Sequence, residues 1–135
     1  MIERVTRVPA SKQQKILLVE DDPFLYKVLS QRLSDEGFDV TVASDGQSAI
    51  DQVGSLKPVL VLLDLILPKK SGFEVLTEIR KNASTAKLAV VVLSNLGQQE
   101  DIDQIEKLGV REYLVKADYS LSEMVKKIKS HAAAL

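Results

Sequence analysis

The sequence contains no cysteine, which excludes a disulfide framework, a thiol nucleophile and a thiolate metal site. It has almost no net charge. The 18 basic and 19 acidic residues leave −1, a balance that argues against a nonspecific binder of nucleic acid or of a membrane surface. No apolar run approaches the roughly 18 residues that a transmembrane helix needs. The start, MIERVTRVPASKQQK, holds no apolar core of signal-peptide length, so a cytoplasmic location is expected. No G-x-G-x-x-G occurs, and the first apolar run is followed by acids rather than by a glycine-rich phosphate loop. A flavin or dinucleotide carrier is therefore disfavoured. No internal repeat and no composition break interrupts the 135 residues, a length that fits one domain. The 45% hydrophobic content is enough for one core.

What is present is a regular alternation. Residues 1–14 are mixed polar and read as a flexible lead-in. Ile16–Val19 has the apolar run of a strand, and Pro23 suits the first turn of the helix after it. Phe24, Val28, Leu29 and Leu33 carry helical spacing that ends near Gly37. Phe38–Val42 alternates as a strand, and a short helix follows Gly46 and stops before Pro58. Val59–Asp64 is the central strand, Phe73 to Ile79 a helix, and Leu88–Leu93 a strand. Ile102, Ile105 and Leu108 mark a helix closing at Gly109, Tyr113–Val115 the last strand, and Leu121 to Ile128 the closing helix. Five strands alternating with five helices predict an α/β domain over 15–135. Its sheet is doubly wound, five-stranded and parallel, flavodoxin-like in order 2-1-3-4-5, with helices on both faces and right-handed crossovers.

Asp64 is the most informative residue. In the run PVLVLLDLILP it ends a strand that is apolar on both faces. The trio Glu20-Asp21-Asp22 follows the first strand, Ser94 ends the fourth and Lys116 ends the fifth. In the order 2-1-3-4-5 these strand ends are neighbours at the carboxyl edge, where ligands of open α/β sheets bind. Each residue alone has a bland reading as a cap or a solvated charge, and Asp22 beside Pro23 reads simply as an N-cap. Their joint placement at four strand ends points to phosphoryl transfer. Asp21 and Asp64 suit Mg²⁺, a hard cation with oxygen ligands. Asp64 can act as nucleophile to form an acyl phosphate, while Lys116 pairs with a phosphoryl oxygen and the Ser94 hydroxyl donates to another.

The pieces ILLVEDDP (16–23), VLLDLILPKKSGFEVL (61–76), VVVLSN (90–95) and EYLVKA (112–117) together resemble the receiver domain of bacterial response regulators. The resemblance spans about residues 15 to 132. It implies Asp64 as phosphoacceptor, Asp21 as a direct Mg²⁺ ligand, Glu20 acting through water, and a backbone carbonyl of Ile66 on the metal. It further implies Ser94 as the switch hydroxyl, Tyr113 as the switch aromatic and Lys116 as the family lysine. Pro68 and Gly72 match the proline and glycine of the phosphorylation loop. The family role would be a single-domain receiver in two-component signal transduction that catalyses only its own Mg²⁺-dependent phosphorylation and dephosphorylation. Its partners would be a histidine kinase or phosphotransfer protein, and a downstream protein on the face of the fourth helix, fifth strand and fifth helix. No direct nucleic-acid contact, no membrane contact and no output domain are expected.

The family usually has proline after the lysine, often in a cis bond, and here Ala117 stands there. A cis bond before a non-proline residue costs about 2.5–4 kcal/mol rather than about 0.5–1, so a trans Lys116–Ala117 peptide and a re-routed loop are expected. Relatives that dephosphorylate quickly place polar side chains two residues after the phosphoacceptor and two after the switch hydroxyl. Ile66 and Leu96 occupy those positions, implying a long-lived phosphorylated state. His131, the only histidine, reads as a solvated tail residue rather than a phosphotransfer group, and Lys126, Lys127 and Lys129 as a solvated face. Two other readings compete. In a pseudo-receiver scaffold the full set Glu20, Asp21, Asp64, Ser94 and Lys116 would have no purpose. A haloacid-dehalogenase-type phosphatase needs a second acid where this chain has Ile66.

Overall fold

A computed structural model describes residues 13–135. The expected flexible segment 1–14 lies outside them except for its last two residues. Of these, Gln14 accepts from the Asp39 N–H at 3.0 Å and donates its side-chain amide to the Ala132 carbonyl at 3.0 Å.

Five strands and five α-helices alternate: β1 Lys15–Val19, α1 Pro23–Asp35, β2 Asp39–Ala43, α2 Gly46–Leu56, β3 Leu60–Leu63, α3 Gly72–Lys81, β4 Ala89–Ser94, α4 Gln99–Lys107, β5 Glu112–Val115 and α5 Leu121–Ala133. All strand pairs are parallel and the order is β2-β1-β3-β4-β5, as the alternation predicts. A 3₁₀ turn over Lys116–Asp118, which the sequence pattern does not announce, carries the chain from β5 towards α5. No peptide among the described residues is cis, so the Lys116–Ala117 bond is trans.

Local chemistry starts most of the helices. Asp22 caps α1 by accepting from the Phe24 and Leu25 amides ahead of the Pro23 first turn. Asp45 and Ser71 cap α2 and α3. Ser120 and Glu123 form a reciprocal capping box on α5. Among the α-helices of the described residues, only α4 starts without a side-chain cap.

Alternate strand residues fill two apolar layers, one on each face of the sheet. Leu17, Val19, Val61, Leu63, Val90 and Val92 pack with α2, α3 and Ile105 of α4. Ile16, Leu18, Leu60, Leu62, Val91 and Leu93 pack with α1 and α5. β1 and β3 are therefore covered on both sides, and Val19 pairs with Leu63 at their carboxyl ends. The next residues, Glu20 and Asp64, emerge side by side where the strand order reverses, the place at which open α/β sheets form a crevice.

Candidate functional site

Asp64 sits one residue past the end of β3, its amide still donating to the Val19 carbonyl at 3.0 Å. That bond anchors its backbone to β1, and the residue is almost fully buried at 5% exposure. Both carboxylate oxygens are engaged. Oδ1 accepts from the Ser94 hydroxyl at 2.8 Å and from the Ile66 amide at 3.2 Å. Oδ2 accepts from the Lys116 ammonium at 2.8 Å. Lys116 also reaches Glu20 Oε1 at 2.5 Å, so one ammonium spans two carboxylates. The 3₁₀ turn with its trans peptide thus still aims Lys116 into the crevice.

Glu20, Asp21 and Asp64 each offer one carboxylate oxygen within 4.8 Å of the others. Octahedral oxygen ligands about 2.1 Å from Mg²⁺ lie roughly 3–4 Å apart, a spacing with which this all-oxygen set is compatible. Glu20 and Asp64 are buried while Asp21 faces solvent, which leaves the position open to water.

Charge in the crevice is finely balanced. Burial is the largest influence on Glu20 and pushes its carboxyl above the usual range, as does the nearby Asp64 charge. Hydrogen bonds from Lys116 and the Asp22 amide oppose this without cancelling it. For Lys116, burial alone would lower the pKa, but hydrogen bonds to Asp64 and Glu20 together with their charges outweigh it and raise it. The ammonium therefore stays charged throughout the physiological range.

The remaining expected residues fall at the rim. The Ile66 side chain is 56% exposed, so it forms an apolar lip rather than a lid. Leu96 packs partly buried against the α2–α3–α4 layer. Tyr113 does not touch the carboxylates. Its ring is seated against that same layer and its hydroxyl donates to the Leu96 carbonyl in the β4–α4 loop. Burial first, and then the Asp101 and Asp64 charges, push its phenol pKa up, so it remains a donor. The chain from Asp64 to Tyr113 thus runs through Ser94 and the short loop after it.

A family profile for the response regulator receiver domain matches residues 16–129. The chain belongs to this family. The receiver is 35% identical over 116 residues to the DNA-binding dual master transcriptional regulator RpaA of Synechocystis sp., covering 86% of this chain and 48% of that protein. It is 36% identical over 115 residues to response regulator RR06 of Streptococcus pneumoniae, covering 85% of this chain and 51% of that one. It therefore spans about half the length of these relatives. The solved structure of the phosphorylated cyanobacterial phytochrome response regulator RcpA matches with TM-score 0.74 at 34% identity, over 87% of this chain and 90% of that one. The receiver domain of a sensor histidine kinase from Pseudomonas aeruginosa, solved with a magnesium ion coordinated in its active site cleft, matches with TM-score 0.76 at 27% identity, over 87% and 96%. Receivers of this family serve two-component signalling. No helix among the described residues is long and apolar enough to cross a membrane.

One expectation for the receiver's far end is corrected. His131 is not a solvated tail residue: its Nε2 lies 2.7 Å from Glu112 Oε1 and its side chain is only 21% exposed. Lys126 and Lys129 lie on the exposed face as expected, and Lys127 and Lys129 make surface pairs with Glu112 and Glu36 at 2.9 Å each. The amphipathic pattern of α5 locates its buried stripe, but not which acid of β5 or α1 its flanks meet. Sequence reasoning also misses Arg80 in the last turn of α3. Its guanidinium donates to the carbonyls of Leu108 at 2.7 Å, Ala86 at 3.2 Å, Leu88 at 2.8 Å and Gly109 at 2.5 Å. A cation in a helix's last turn is ordinary, and nothing in the sequence marks this one as tying two loops together.

Proposed function

We propose that this receiver accepts a phosphoryl group from a phosphohistidine on Asp64, with Mg²⁺ as cofactor, and signals through the surface of α4, β5 and α5. One observation carries the reading. A single buried carboxylate has a hydroxyl on one oxygen, an ammonium on the other and two further acids beside it. A structural salt bridge has no use for that arrangement, whereas an acyl-phosphate site needs every part of it.

In the transfer, a carboxylate oxygen of Asp64 attacks phosphorus as the P–N bond to the donor imidazole breaks. The bonding electron pair stays on the ring nitrogen, and an aspartyl phosphate forms. Lys116, already 2.8 Å from Oδ2, pairs with the incoming phosphoryl oxygens. The Ser94 hydroxyl exchanges its bond to Oδ1 for one to a phosphoryl oxygen. Asp21, Asp64 and the Ile66 carbonyl would hold the Mg²⁺, with Glu20 acting through water. When bound, the ion would neutralise phosphoryl charge. Positioning and electrostatics carry the catalysis. The receiver acts on no other substrate in this reading, and it works in the cytoplasm.

Moving Ser94 draws on the Asn95–Gln98 loop, whose Leu96 carbonyl holds Tyr113. Phosphorylation is thereby relayed to the start of α4 and to β5, where a downstream protein docks. The phosphorylated state of RcpA and the magnesium of the Pseudomonas receiver support the reading by similarity. The test is transfer from a phosphorylated histidine kinase or phosphotransfer protein with label on the donor's histidine. Label should pass to this chain only with Mg²⁺, and Asp64→Ala should abolish it. Label that still passes to Asp64→Ala would refute the assignment.

A further inference from the structure

The loop Leu65–Ser71, which follows Asp64 and contains Ile66, is pinched between two glycines. At its far end a Cβ on Gly72 would lie 2.2 Å from the Asp64 carbonyl oxygen, and the Gly72 amide donates to the Leu65 carbonyl at 2.9 Å. The other glycine belongs to a different element. Gly46 opens α2, and a Cβ there would lie 1.9 Å from the Lys70 carbonyl oxygen and 2.7 Å from the Lys70 Cβ. The blocking atom is backbone, so no side-chain rotation relieves it. The Gly46 amide is one of the first-turn donors with no partner inside its helix, and it donates to the Pro68 carbonyl at 3.2 Å. That carbonyl also accepts from the Lys70 amide at 2.8 Å. Lys69, held at φ 68°, lies 3.8 Å from the Asp45 carboxylate that caps the same helix. The loop thus rests on the first turn of α2, and only a residue without a side chain at position 46 lets it sit this low.

We infer that Gly46 is a positioning residue for the metal site: by seating the Leu65–Ser71 loop on α2, it fixes where Asp64 and the Ile66 backbone meet the cation. The inference rests on the reading of the Glu20–Asp21–Asp64 cluster as a Mg²⁺ site. Gly46 itself touches none of these three carboxylates in the hydrogen bonds described, and it acts through Pro68 and Lys70. A methyl group at 46 lifts the loop, moves the Ile66 backbone away from the acids and weakens the cation's hold.

Gly54, in the same helix, has nothing within 4 Å of an added Cβ. Alanine there favours the helix and offsets part of the stability that a substitution at 46 removes. The experiment compares Mg²⁺ affinity, by calorimetric titration with MgCl₂, in wild type, Gly54→Ala and Gly46→Ala/Gly54→Ala. Wild type and Gly54→Ala should bind alike, and the double variant about tenfold more weakly or worse, the ordinary size of coupling between linked sites. Equal affinity in the double variant, even with a lower melting temperature, overturns the inference and leaves the Mg²⁺ site standing. No binding by wild type overturns the site reading, and this inference with it. A second measurement needs only wild type. Linkage is reciprocal, so saturating Mg²⁺ should slow hydrogen exchange at the Gly46 amide several-fold. Exchange there that ignores Mg²⁺ contradicts the inference even if the double variant does not fold.

Discussion

Burial holds the Glu20 carboxyl above the usual carboxylate range, while Lys116 and the Asp22 amide pull it back. A raised folded-state pKa adds stability that is complete below the ordinary value of 4.5 and is lost as pH rises through the folded value. At pH 7 Glu20 therefore costs stability. Glu20→Gln should melt higher than wild type in EDTA at pH 7, and the gap should close below pH 4.5. Mg²⁺ should raise the wild-type melting temperature more than that of the variant, because the ion stabilises the state that binds it. Thermal scans with and without MgCl₂ read both effects. Two other residues bear on lifetime. Hydrolysis of an aspartyl phosphate needs an aligned water, and neither Ile66 nor Leu96 can accept a hydrogen bond from one through its side chain. Ile66→Asn and Leu96→Glu should each shorten the lifetime of the phosphorylated protein, measured as decay after the donor is removed. Equal decay in wild type and variants would void the water-positioning argument. Ile66 is open to solvent, so the effect comes from its lack of polar atoms rather than from shielding.

Among the helices, α4 is held least firmly. It has no side-chain cap, and Ile105 is its only buried residue. Tyr113 grips the loop before it through the Leu96 carbonyl, and Arg80 grips the turn after it through the carbonyls of Leu108 and Gly109. Arg80→Ala strips donors from four carbonyls and should cost about 1–3 kcal/mol in urea unfolding, with faster amide exchange at the end of α4. An unchanged urea midpoint would show that water replaces the guanidinium without loss. Beryllofluoride, a phosphoryl mimic, should move NMR signals across residues 94–116 more than those of α2, except near Gly46. Shifts confined to the acid-bearing loops would mean that no relay reaches α4. The elements themselves were legible because the apolar runs are short and the breaks are marked by Pro23, Gly37, Gly46 and Pro58. The convergence of Glu20, Asp21, Asp64, Ser94 and Lys116 was legible too, since strand order alone makes their strand ends neighbours. The Arg80 clamp, the His131–Glu112 pair and the fit of Gly46 under Lys70 were not. Each depends on how far a helix is rotated or how low a loop lies, and side-chain periodicity does not encode either. The Lys116–Asp118 turn escaped for a related reason: a single 3₁₀ turn is too short to carry a period.

For the whole molecule, two apolar layers lock β1 and β3 at the centre, and the acids project from the carboxyl ends of these strands. The fold concentrates negative charge at the carboxyl ends of its central buried strands, then places one ammonium across two of the three acids. Under the proposed function, the phosphoryl group would bind beside the buried ends of β1 and β3, and the signal would be read at α4, which has no side-chain cap and one buried residue. That division would let one covalent event at a buried carboxylate change a distant surface without unfolding the core. The matched relatives extend well beyond this receiver. The most direct measurement is intact mass after incubation with acetyl phosphate, with and without Mg²⁺, for wild type and Asp64→Ala. A single phosphoryl adduct that requires Mg²⁺, maps to Asp64 and is absent from the variant is the predicted result. An adduct that persists undiminished in Asp64→Ala, or no adduct on wild type with Mg²⁺ present, would contradict the account.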